Sequence, residues 1–390
     1  MPVFIDLTEF LNAPHRTGIQ RVCGELCRFW PADYPLIPVK LTKTLRIVLL
    51  QPESLHVIRK YFESSNSNDT NLKNTLDVLA SQGETSEREV DWSTGDRLLV
   101  PEVFYDLDRI DFYQNLPPER AKNVYFLLYD FLPLTHPDFF PPDLPHEKIC
   151  RYFQLVRSVR NVSFISALTK EVYYRRILRR SSDGGPVLRL GSDGLGPRPR
   201  SVPSRHPSPK FTVLGTIEPR KNHALVLEVF EPLFKEIKGL RLVFMGKMGW
   251  VDPALAERIH SLTRDCPGFE HYASPSDDLI RQHVEESWAT VYLSVAEGYG
   301  LPPVESLWLG TPVIASPFVP SLEAIGSTGV HFVEPLNLST LREAALAIAE
   351  ESYARRKSEE ALSLNLPTWR SFAREVAEWI HASDSSKALD

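Results

Sequence analysis

EGYGLPPVE, residues 297–305, is a glycine-rich run with a carboxylate at each end. It follows an apolar run, Ala289 to Ser294, that is typical of a buried strand, and a helix is predicted to begin near Pro303. At such a strand-to-helix turn of an α/β sheet, backbone N–H groups face a ligand. Glu297 is therefore expected at the mouth of a crevice, and Glu305 one to two turns inside the helix, so that each meets a different part of one long ligand.

The chain around this run alternates between predicted strands and helices. Apolar runs at Phe211 to Thr216, Leu240 to Met245 and Pro312 to Ala315 are separated by amphipathic stretches. This alternation predicts a doubly wound parallel sheet. The first half has a similar pattern with longer insertions, and Val124 to Tyr129 there is apolar on both faces, as in a covered parallel sheet.

A proline-rich segment, residues 194–209, contains five prolines in sixteen residues and is predicted to link two domains. We place an N-terminal domain at 1–205 and a C-terminal domain at 206–370, followed by a terminal helix and tail at 371–390. A polar stretch at about 63–92 is predicted to be a mobile insertion with one short helix, Leu72 to Leu79.

The composition is that of an ordinary soluble globular protein, with 43% hydrophobic and 24% charged residues among 390. No apolar run approaches the roughly 20 residues that a membrane helix needs. The N-terminus lacks the pattern of a signal peptide, and four cysteines are too few for a disulfide framework. A cytoplasmic protein is therefore expected, and no nucleic-acid partner is predicted.

A second motif, LGTIEPRKNH at residues 214–223, places Arg220 and Lys221 between the end of a predicted strand and the start of a helix that Asn222 is expected to cap. Two cations beside unpaired helical N–H groups form an anion site, and the fork of an arginine with the point charge of a lysine suits a diphosphate. Solvated surface cations are the alternative.

The two motifs together imply a ligand that carries a nucleoside diphosphate. Glu305 would accept hydrogen bonds from ribose hydroxyls, and Glu297 would face a sugar. Cations that stabilise a departing diphosphate suit glycosyl transfer, for which no metal or other cofactor is required. The competing metal motif Asp106-Leu107-Asp108 has the Asp-x-Asp spacing that holds Mg²⁺ or Mn²⁺ at sugar diphosphates, but three-residue patterns recur by chance.

The runs EPRKN (218–222), EGYGLPPVE (297–305) and GTPVIA (310–315) together resemble the retaining glycosyltransferases of family 4, the group 1 transferases. This resemblance is dense from about residue 211 to 335. It implies a GT-B fold, in which two Rossmann-like doubly wound domains face each other across a cleft. The first domain would then receive the acceptor, the second would bind the donor, and the terminal helix would return to the first domain.

The resemblance also implies roles for individual residues. Arg220 and Lys221 would hold the donor diphosphate, Glu297 would bind sugar hydroxyls, and Asp130 would lie in the segment at the catalytic centre. The other residues expected to contact the donor are Gly18 in the glycine loop TGIQR (17–21), Gly246, Lys247, Gly298, Tyr299, Gly300, Leu301 and Glu305. Many relatives carry His where Tyr129 stands, so a histidine-based role is not expected at that position.

By the same resemblance, the expected reaction moves a sugar with retention of configuration from a nucleotide-diphosphate sugar to a glycan or lipid-linked acceptor. Mannose or a related hexose or deoxyhexose, GDP-linked and used for bacterial surface polysaccharide, is the preferred interpretation. A UDP-sugar donor and a non-catalytic subunit that binds sugar nucleotides or glycans are the alternatives.

Residues 147–210 contain 14 Lys or Arg and four Asp or Glu, although the whole chain has a net charge of −6. Within this segment, Arg175, Arg176, Arg179 and Arg180 alternate with aromatic and aliphatic residues. Two interpretations stand: a helix that docks on the anionic inner face of a membrane, or a solvated helix face whose apolar side lies in the core.

Overall fold

The computed structural model describes residues 1–15, 18–64, 70–92, 95–181 and 184–382. The chain folds as two compact units. Unit 1 comprises Met1–Phe131, Asp143–Gly191 and Thr368–Asp390, and unit 2 comprises Leu132–Pro142 and Ser192–Pro367. The boundaries at 205/206 and 370/371 stay predictions.

Unit 1 is built on a six-stranded sheet of order β3-β2-β1-β4-β5-β6, parallel except for the edge strand β3, which runs antiparallel to β2. The strands are β1 Val3–Asp6, β2 Leu36–Leu41, β3 Ile47–Leu49, β4 Arg97–Val100, β5 Val124–Leu128 and β6 Asn161–Phe164.

The helices between β1 and Val172 follow the amphipathic pattern of the sequence. They are α1 Thr8–Asn12, α2 Ile19–Phe29, α3 Ser54–Glu63, α4 Thr70–Glu84, α5 Leu107–Gln114, α6 Pro118–Ala121, α7 Leu132–Thr135, α8 His146–Ser158 and α9 Ala167–Val172, with a 3₁₀ turn at Pro137–Phe139 and a π-helical turn at Tyr173–Leu178. In α2, for example, Val22, Cys23 and Leu26 form the buried face, as their spacing predicts.

The stretch predicted as a polar insertion contains more regular structure than expected. Helix α4 spans 15 residues rather than eight, because Leu76 and Leu79 are buried on one face. Further on, the Val90 N–H donates to the Ile47 carbonyl at 2.9 Å, and Trp92 is buried. Residues 65–69, 93 and 94 lie outside the described part.

Unit 2 contains a second six-stranded sheet, of order β12-β11-β10-β7-β8-β9, in which every recorded pair is parallel. Its strands are β7 Lys210–Leu214, β8 Arg241–Met245, β9 Phe269–Tyr272, β10 Ala289–Tyr292, β11 Val313–Ala315 and β12 Val330–Phe332. The helices of unit 2 that follow β7 are α10 His223–Glu236, α11 Pro253–Asp265, α12 Asp277–Glu286, α13 Leu301–Trp308, α14 Leu338–Ile348 and α15 Glu351–Ser363, with 3₁₀ turns at Pro219–Lys221 and Pro320–Leu322. The last helix, α16 Trp369–Ala382, belongs to unit 1.

The order of the strands in unit 2 reverses beside its first strand. From β7 the chain builds outward to β8 and β9, and it then returns to build β10, β11 and β12 on the other side. The carboxyl ends of β7 and β10 therefore flank a topological switch point, where open α/β sheets bind ligands.

The strand pattern differs from a reading of apolar runs at two places. The apolar run Val187 to Leu190 is not a strand, since it makes only an isolated parallel bridge from Val187 to Phe164. Strand β9 was not predicted, because Glu270 and His271 interrupt its apolar pattern. Among the described residues, no helix is both long and apolar enough to cross a bilayer.

Candidate functional site

The two sequence motifs of unit 2 meet at the switch point. The EPRKN motif follows β7, and the EGYGLPPVE run follows β10, which pairs directly with β7. The first motif forms the 3₁₀ turn Pro219–Lys221, and the second forms the loop before α13.

Hydrogen bonds fasten these two loops to each other. The Val295 N–H donates to the carbonyl of Arg220 at 2.8 Å, and Asn222 Nδ2 donates to the Leu293 carbonyl at 3.1 Å. Asn222 itself adopts a left-handed conformation with φ 56°, and its side chain makes no helix cap. The predicted cap is therefore wrong: the side chain of Asn222 binds the neighbouring loop instead. The two motifs therefore form one continuous surface.

Glu297 lies at the centre of this surface and is 8% exposed. Its Oε1 accepts hydrogen bonds from the Tyr292 hydroxyl at 2.6 Å and the Ser294 hydroxyl at 2.8 Å. The same oxygen lies 2.5 Å from Arg220 Nη1 and 3.3 Å from Lys221 Nζ. All four of these contacts use Oε1, which therefore fixes the position of the carboxylate between the two cations.

The two cations are held from several sides. Arg220 also pairs with Glu218 at 2.6 Å and donates from Nη1 to the Ala296 carbonyl at 3.0 Å. Lys221 Nζ donates to the Tyr292 hydroxyl at 2.9 Å and lies 4.6 Å from the centre of that ring. These are not solvated surface cations, because their side chains are only 18% and 11% exposed.

The charges of the cluster shift the pKa of each member. Burial alone would raise the pKa of Glu297, but Lys221 and Arg220 outweigh it and lower this pKa from 4.5 to about 2. Burial acts to lower the pKa of Arg220, yet Glu297 and Glu218 raise it overall. Burial is the main cause of a lowered pKa at Lys221. Glu297 is thus an anion at neutral pH beside a charged guanidinium.

The glycine-rich part of the run is packed against the segment after β11. The Ser321 hydroxyl donates to the Gly300 carbonyl at 2.7 Å, and the Ser321 N–H donates to the Tyr299 carbonyl at 2.9 Å. Gly300 has φ +92°, and a Cβ there would lie 2.5 Å from Val319 Cγ1. This conformation and this approach require glycine. Gly298 lies between Glu297 and Tyr299 in the same turn.

Helix α13 begins at Leu301, two residues before the expected start at Pro303. Glu305 lies in this helix and is 4% exposed. Its predicted contact with ribose stays a prediction.

Gly246 and Lys247 lie next to the first loop, at the carboxyl end of β8. A Cβ on Gly246 would lie 2.1 Å from the Gly215 carbonyl oxygen, so the two loops approach closely. The Lys247 carbonyl accepts from the Ile217 N–H at 2.9 Å, and the Lys247 side chain is exposed. Both residues border the cluster of Arg220 and Glu297 through backbone contacts.

Sequence reasoning missed three partners of the cluster: Glu218, Tyr292 and Ser294. The sequence analysis included Glu218 in the EPRKN motif but assigned no role to this residue. Tyr292 and Ser294 belong to the apolar run read as a strand, and the available signal was a polar side chain at its carboxyl end.

In unit 1, Gly18 precedes α2 with φ 58°, a left-handed conformation that favours glycine, while Thr17 lies outside the described residues. Asp130 follows β5 and is half-buried. The neighbouring Tyr129 is buried, and its hydroxyl donates to the Pro101 carbonyl at 2.6 Å. Burial is the main cause of the strongly raised pKa of Tyr129. Its side chain therefore supports the fold and is not poised for proton transfer.

A buried ionic cluster in unit 1 was not predicted. Arg109 Nη2 lies 2.8 Å from Asp6 and 2.9 Å from Glu102, and Arg109 Nη1 lies 3.1 Å from Glu9. Glu102 also accepts from the Glu9 and Phe10 N–H groups at 2.8 Å, which anchors the start of α1. Burial is the main cause of the rise in the pKa of Glu102 to about 7. The sequence signal for this cluster was an acidic residue near the end of two apolar runs, Asp6 in the first and Glu102 after the second.

The Asp-x-Asp motif has a structural role. Asp106 is the N-cap of α5, where its carboxylate accepts from the Arg109 N–H at 2.8 Å. In the described ranges, no cluster of three His, Cys, Asp or Glu side chains is suited to a metal ion.

Comparison with known proteins gives distant relatives. Over 296 residues, the chain is 27% identical to the serotype-specific mannosyltransferase WbdA of Escherichia coli. The matched region covers 70% of this chain and 35% of that protein. Over 149 residues, it is 30% identical to the O-antigen chain mannosyltransferase B of Escherichia coli, covering 34% of this chain and 38% of that protein. The chain thus spans little more than a third of either relative.

Solved structures share the fold. Sucrose-phosphate synthase from Thermosynechococcus elongatus superposes with a TM-score of 0.66 at 14% identity, covering 99% of this chain and 100% of that one. WaaG, a glycosyltransferase involved in lipopolysaccharide biosynthesis, gives a TM-score of 0.58 at 12% identity, covering 97% and 99%. These likenesses confirm the predicted class, a GT-B fold with two Rossmann-like α/β sheets.

The family match falls on the part of the chain that carries the motifs. Residues 198–363 match the family described as Glycosyl transferases group 1. This range includes both loops of the switch point, with Arg220, Lys221 and Glu297. The predicted resemblance is therefore confirmed, and residues 198–363 form a domain of the group 1 glycosyltransferases, glycosyltransferase family 4.

Proposed function

We propose that this glycosyltransferase moves mannose, or a related hexose or deoxyhexose, from a GDP-sugar to a glycan or lipid-linked acceptor of bacterial surface polysaccharide. The observation that carries the proposal is the cluster of Arg220, Lys221 and Glu297 at the switch point of unit 2. The choice of sugar rests on the two Escherichia coli relatives, both of which are named mannosyltransferases.

In the proposed reaction, the bond between the anomeric carbon and the donor diphosphate breaks, and a bond from that carbon to the acceptor oxygen forms. The configuration is retained, because the acceptor hydroxyl attacks from the face of the leaving group. A diphosphate oxygen takes the acceptor proton. Arg220 and Lys221 stabilise the negative charge that develops on the diphosphate, and their fixed orientation means that little reorganisation is needed.

Glu297 has a double role in this proposal. Its Oε1 orients both cations, and its other oxygen accepts a hydrogen bond from a sugar hydroxyl. The left-handed turn at Gly300 lets the backbone approach the donor. No step requires a metal ion or another cofactor.

The decisive experiment measures the release of nucleoside diphosphate from GDP-mannose with Lys221→Ala and with Lys235→Ala, an exposed lysine of α10, as the matched control. Loss of a charged donor at a developing charge typically costs ~3 kcal/mol, about a hundredfold in turnover. Lys221→Ala should lose this factor while remaining folded, and Lys235→Ala should keep its rate. A Lys221→Ala variant that releases nucleoside diphosphate at the wild-type rate would contradict the proposal.

The same assay separates the alternatives. Turnover with UDP-sugars but not with GDP-sugars would assign a UDP donor to the same cluster. Binding of sugar nucleotides without turnover across a panel of acceptors would favour a non-catalytic subunit, a reading to which the buried, tethered hydroxyl of Tyr129 lends support.

Peripheral docking on an anionic membrane through Arg175, Arg176, Arg179 and Arg180 belongs to the same proposal. All four side chains are exposed, while Tyr173, Tyr174 and Ile177 of the same turn lie in the core. Co-sedimentation with anionic vesicles should be weakened in Arg175→Glu/Arg176→Glu. Equal binding by this variant would exclude the docking face.

A further inference from the structure

Unit 1 contains a cavity of about 380 Å³ that the sequence did not predict. It lies where the end of α8, the start of β6 and the π-helical turn meet. The residues that line it are Arg157, Ser158, Val159, Arg160, Val162, Tyr173, Tyr174, Leu178 and Arg180. Because Arg160 immediately precedes β6, the cavity opens at the amino end of this strand, away from the carboxyl ends where open α/β sheets bind their ligands.

The charged side chains that line the cavity among the described residues are all positive. They are the three guanidinium groups of Arg157, Arg160 and Arg180, and no described aspartate or glutamate lines the cavity. In the described parts of the chain, none of the three forms an ion pair, whereas the nearby Arg175 is paired with Glu171 at 2.7 Å. All three side chains are exposed, so an anion that enters the cavity can reach them from solvent and gain from the attraction of each.

The backbone around Arg180 adopts an uncommon conformation. The chain leaves α9 through a π-helical turn, Tyr173–Leu178, and then passes through Arg179 in a left-handed conformation with φ 54°. The Arg180 N–H donates to the Tyr174 carbonyl at 3.0 Å, which fixes the position of the residue. Both π-helical turns and left-handed non-glycine residues concentrate at functional sites.

The helix dipole explains only one of the three arginines. Arg157 lies in the last turn of α8, where a cation is favourable in any helix. Arg160 and Arg180 lie outside the helices, so a helix dipole does not explain why their side chains line the cavity.

The apolar walls give the cavity a defined shape. Tyr173 and Tyr174 are buried, and their hydroxyls donate to the carbonyls of Val156 at 3.0 Å and Gly184 at 2.6 Å. These hydroxyls are therefore engaged, and the rings with Val162 and Leu178 form walls against which the uncharged part of a ligand can pack. The volume falls within the range of small-molecule sites, about 300–1,000 Å³, and exceeds what a lone phosphate requires.

We propose that this cavity is an anion site separate from the donor site, and that it takes a phosphate group attached to a larger molecule. Each guanidinium presents a planar fork that matches phosphate oxygens, and three of them suit a group with more than one negative charge. The phosphate could belong to a lipid headgroup or to a soluble phosphate compound, and the experiment separates these sources.

The test is a calorimetric titration of the full chain with inorganic pyrophosphate at low ionic strength, because exposed guanidiniums are screened by salt. All proteins carry Lys221→Ala, which weakens pyrophosphate binding at the donor site and leaves its remaining contribution the same in every variant. In this background, Arg160→Ala/Arg180→Ala should bind pyrophosphate at least about tenfold more weakly. The matched control is Arg175→Ala/Arg176→Ala, which removes two arginines of the same turn that do not line the cavity, and should bind as the background does.

The outcomes are distinct. Equal weakening in both double variants, or no measurable binding in the background protein, overturns the proposal. Selective weakening in Arg160→Ala/Arg180→Ala supports it whatever the result of the turnover assay. Co-sedimentation with vesicles of anionic or neutral phospholipid then identifies the source: selective loss of anionic binding in the cavity variant indicates a lipid headgroup, and unchanged vesicle binding indicates a soluble compound.

Discussion

At the scale of single residues, the charges in the cluster of Arg220, Lys221 and Glu297 balance without a ligand. Arg220 and Lys221 are matched by Glu297 and Glu218, so no net charge is buried. A buried ion pair is weak evidence for stability, but removal of one partner is costly because the other charge stays buried. The cluster therefore keeps two cations oriented at a site where a diphosphate could meet them.

Replacing Glu297 with glutamine should destabilise unit 2 by roughly 3 to 5 kcal/mol, because two buried cations lose their counter-charge. Glu218→Gln is the matched control, since Glu218 is 27% exposed and its pair with Arg220 should contribute about 1 kcal/mol or less. Urea denaturation measures both. Equal losses in the two variants would contradict the central role of Glu297.

The pH dependence of stability follows from the same carboxylate. Its pKa is lowered from 4.5 to about 2, so its contribution is present above pH 4.5 and is lost as the pH falls through 2. The shift corresponds to roughly 3 kcal/mol. The difference in unfolding free energy between the wild type and Glu297→Gln should therefore narrow between pH 5 and pH 2. A constant difference would show that the carboxylate is not selectively stabilised.

At the scale of elements, the turn before α13 depends on a glycine. Gly300→Ala would place a methyl group 2.5 Å from Val319 Cγ1 in a backbone with φ +92°. Gly326 is the control, since it has φ +61° but nothing within 4 Å of its Cβ position. We expect Gly326→Ala to cost about 1 kcal/mol and Gly300→Ala at least twice that, with loss of turnover. Thermal unfolding and the transfer assay test this, and equal costs would contradict it.

The N-cap of α5 gives a second element-scale prediction. Asp106→Ala should lower stability by about 1 kcal/mol, because the Arg109 N–H loses its acceptor. Asp108→Ala, on an exposed first-turn position, should lower it by only a few tenths. Turnover should be unchanged in both. A metal-dependent loss of activity in either variant would restore the Asp-x-Asp interpretation.

The strands of unit 2 were predictable where most of their residues are apolar, as in β8 and β10, because burial on both faces favours a nearly continuous hydrophobic run. Strand β9 was missed because its polar residues Glu270 and His271 break that run. The cluster of Asp6, Glu102 and Arg109 was missed for a different reason: its members are far apart in sequence, and only the sheet brings them together.

The meeting of Arg220, Lys221 and Glu297 was predictable because these residues lie in short motifs at the ends of neighbouring strands. Their partners Tyr292 and Ser294 could not be identified, since a polar residue at the end of a strand does not reveal what it contacts. Asn222 was assigned a helix cap on residue type alone, whereas its left-handed backbone directs the side chain to the next loop.

At the scale of the whole molecule, the last described helix belongs to the unit that contains the first strand. Trp369, Phe372, Val376 and Ile380 of α16 are fully buried. The ring of Trp379 also packs edge-on against Tyr125 of β5 at 5.2 Å. Unit 1 is therefore assembled from segments at both ends of the sequence, whereas most of unit 2 is one continuous segment.

A chain that ends at Pro367 should therefore lose unit 1 selectively. Four large apolar side chains leave the core, and burial of each typically contributes about 1.5–3 kcal/mol. Hydrogen exchange should show loss of protection in β1 and β5 and retained protection in β7 and β10. A matched truncation at residue 382 should preserve both units. Uniform loss of protection in the shorter chain would show that the units do not fold independently.

This arrangement has a consequence during synthesis on the ribosome. The segment 192–367 can leave the ribosome and fold on its own sheet before α16 has been translated. The strands of unit 1 that are translated first cannot complete their core until α16 is present. Unit 2 would complete its fold first, although the first strands of unit 1 are translated before it. Until residue 382 leaves the exit tunnel, the nascent polypeptide carries an unfinished hydrophobic surface that chaperones can recognise.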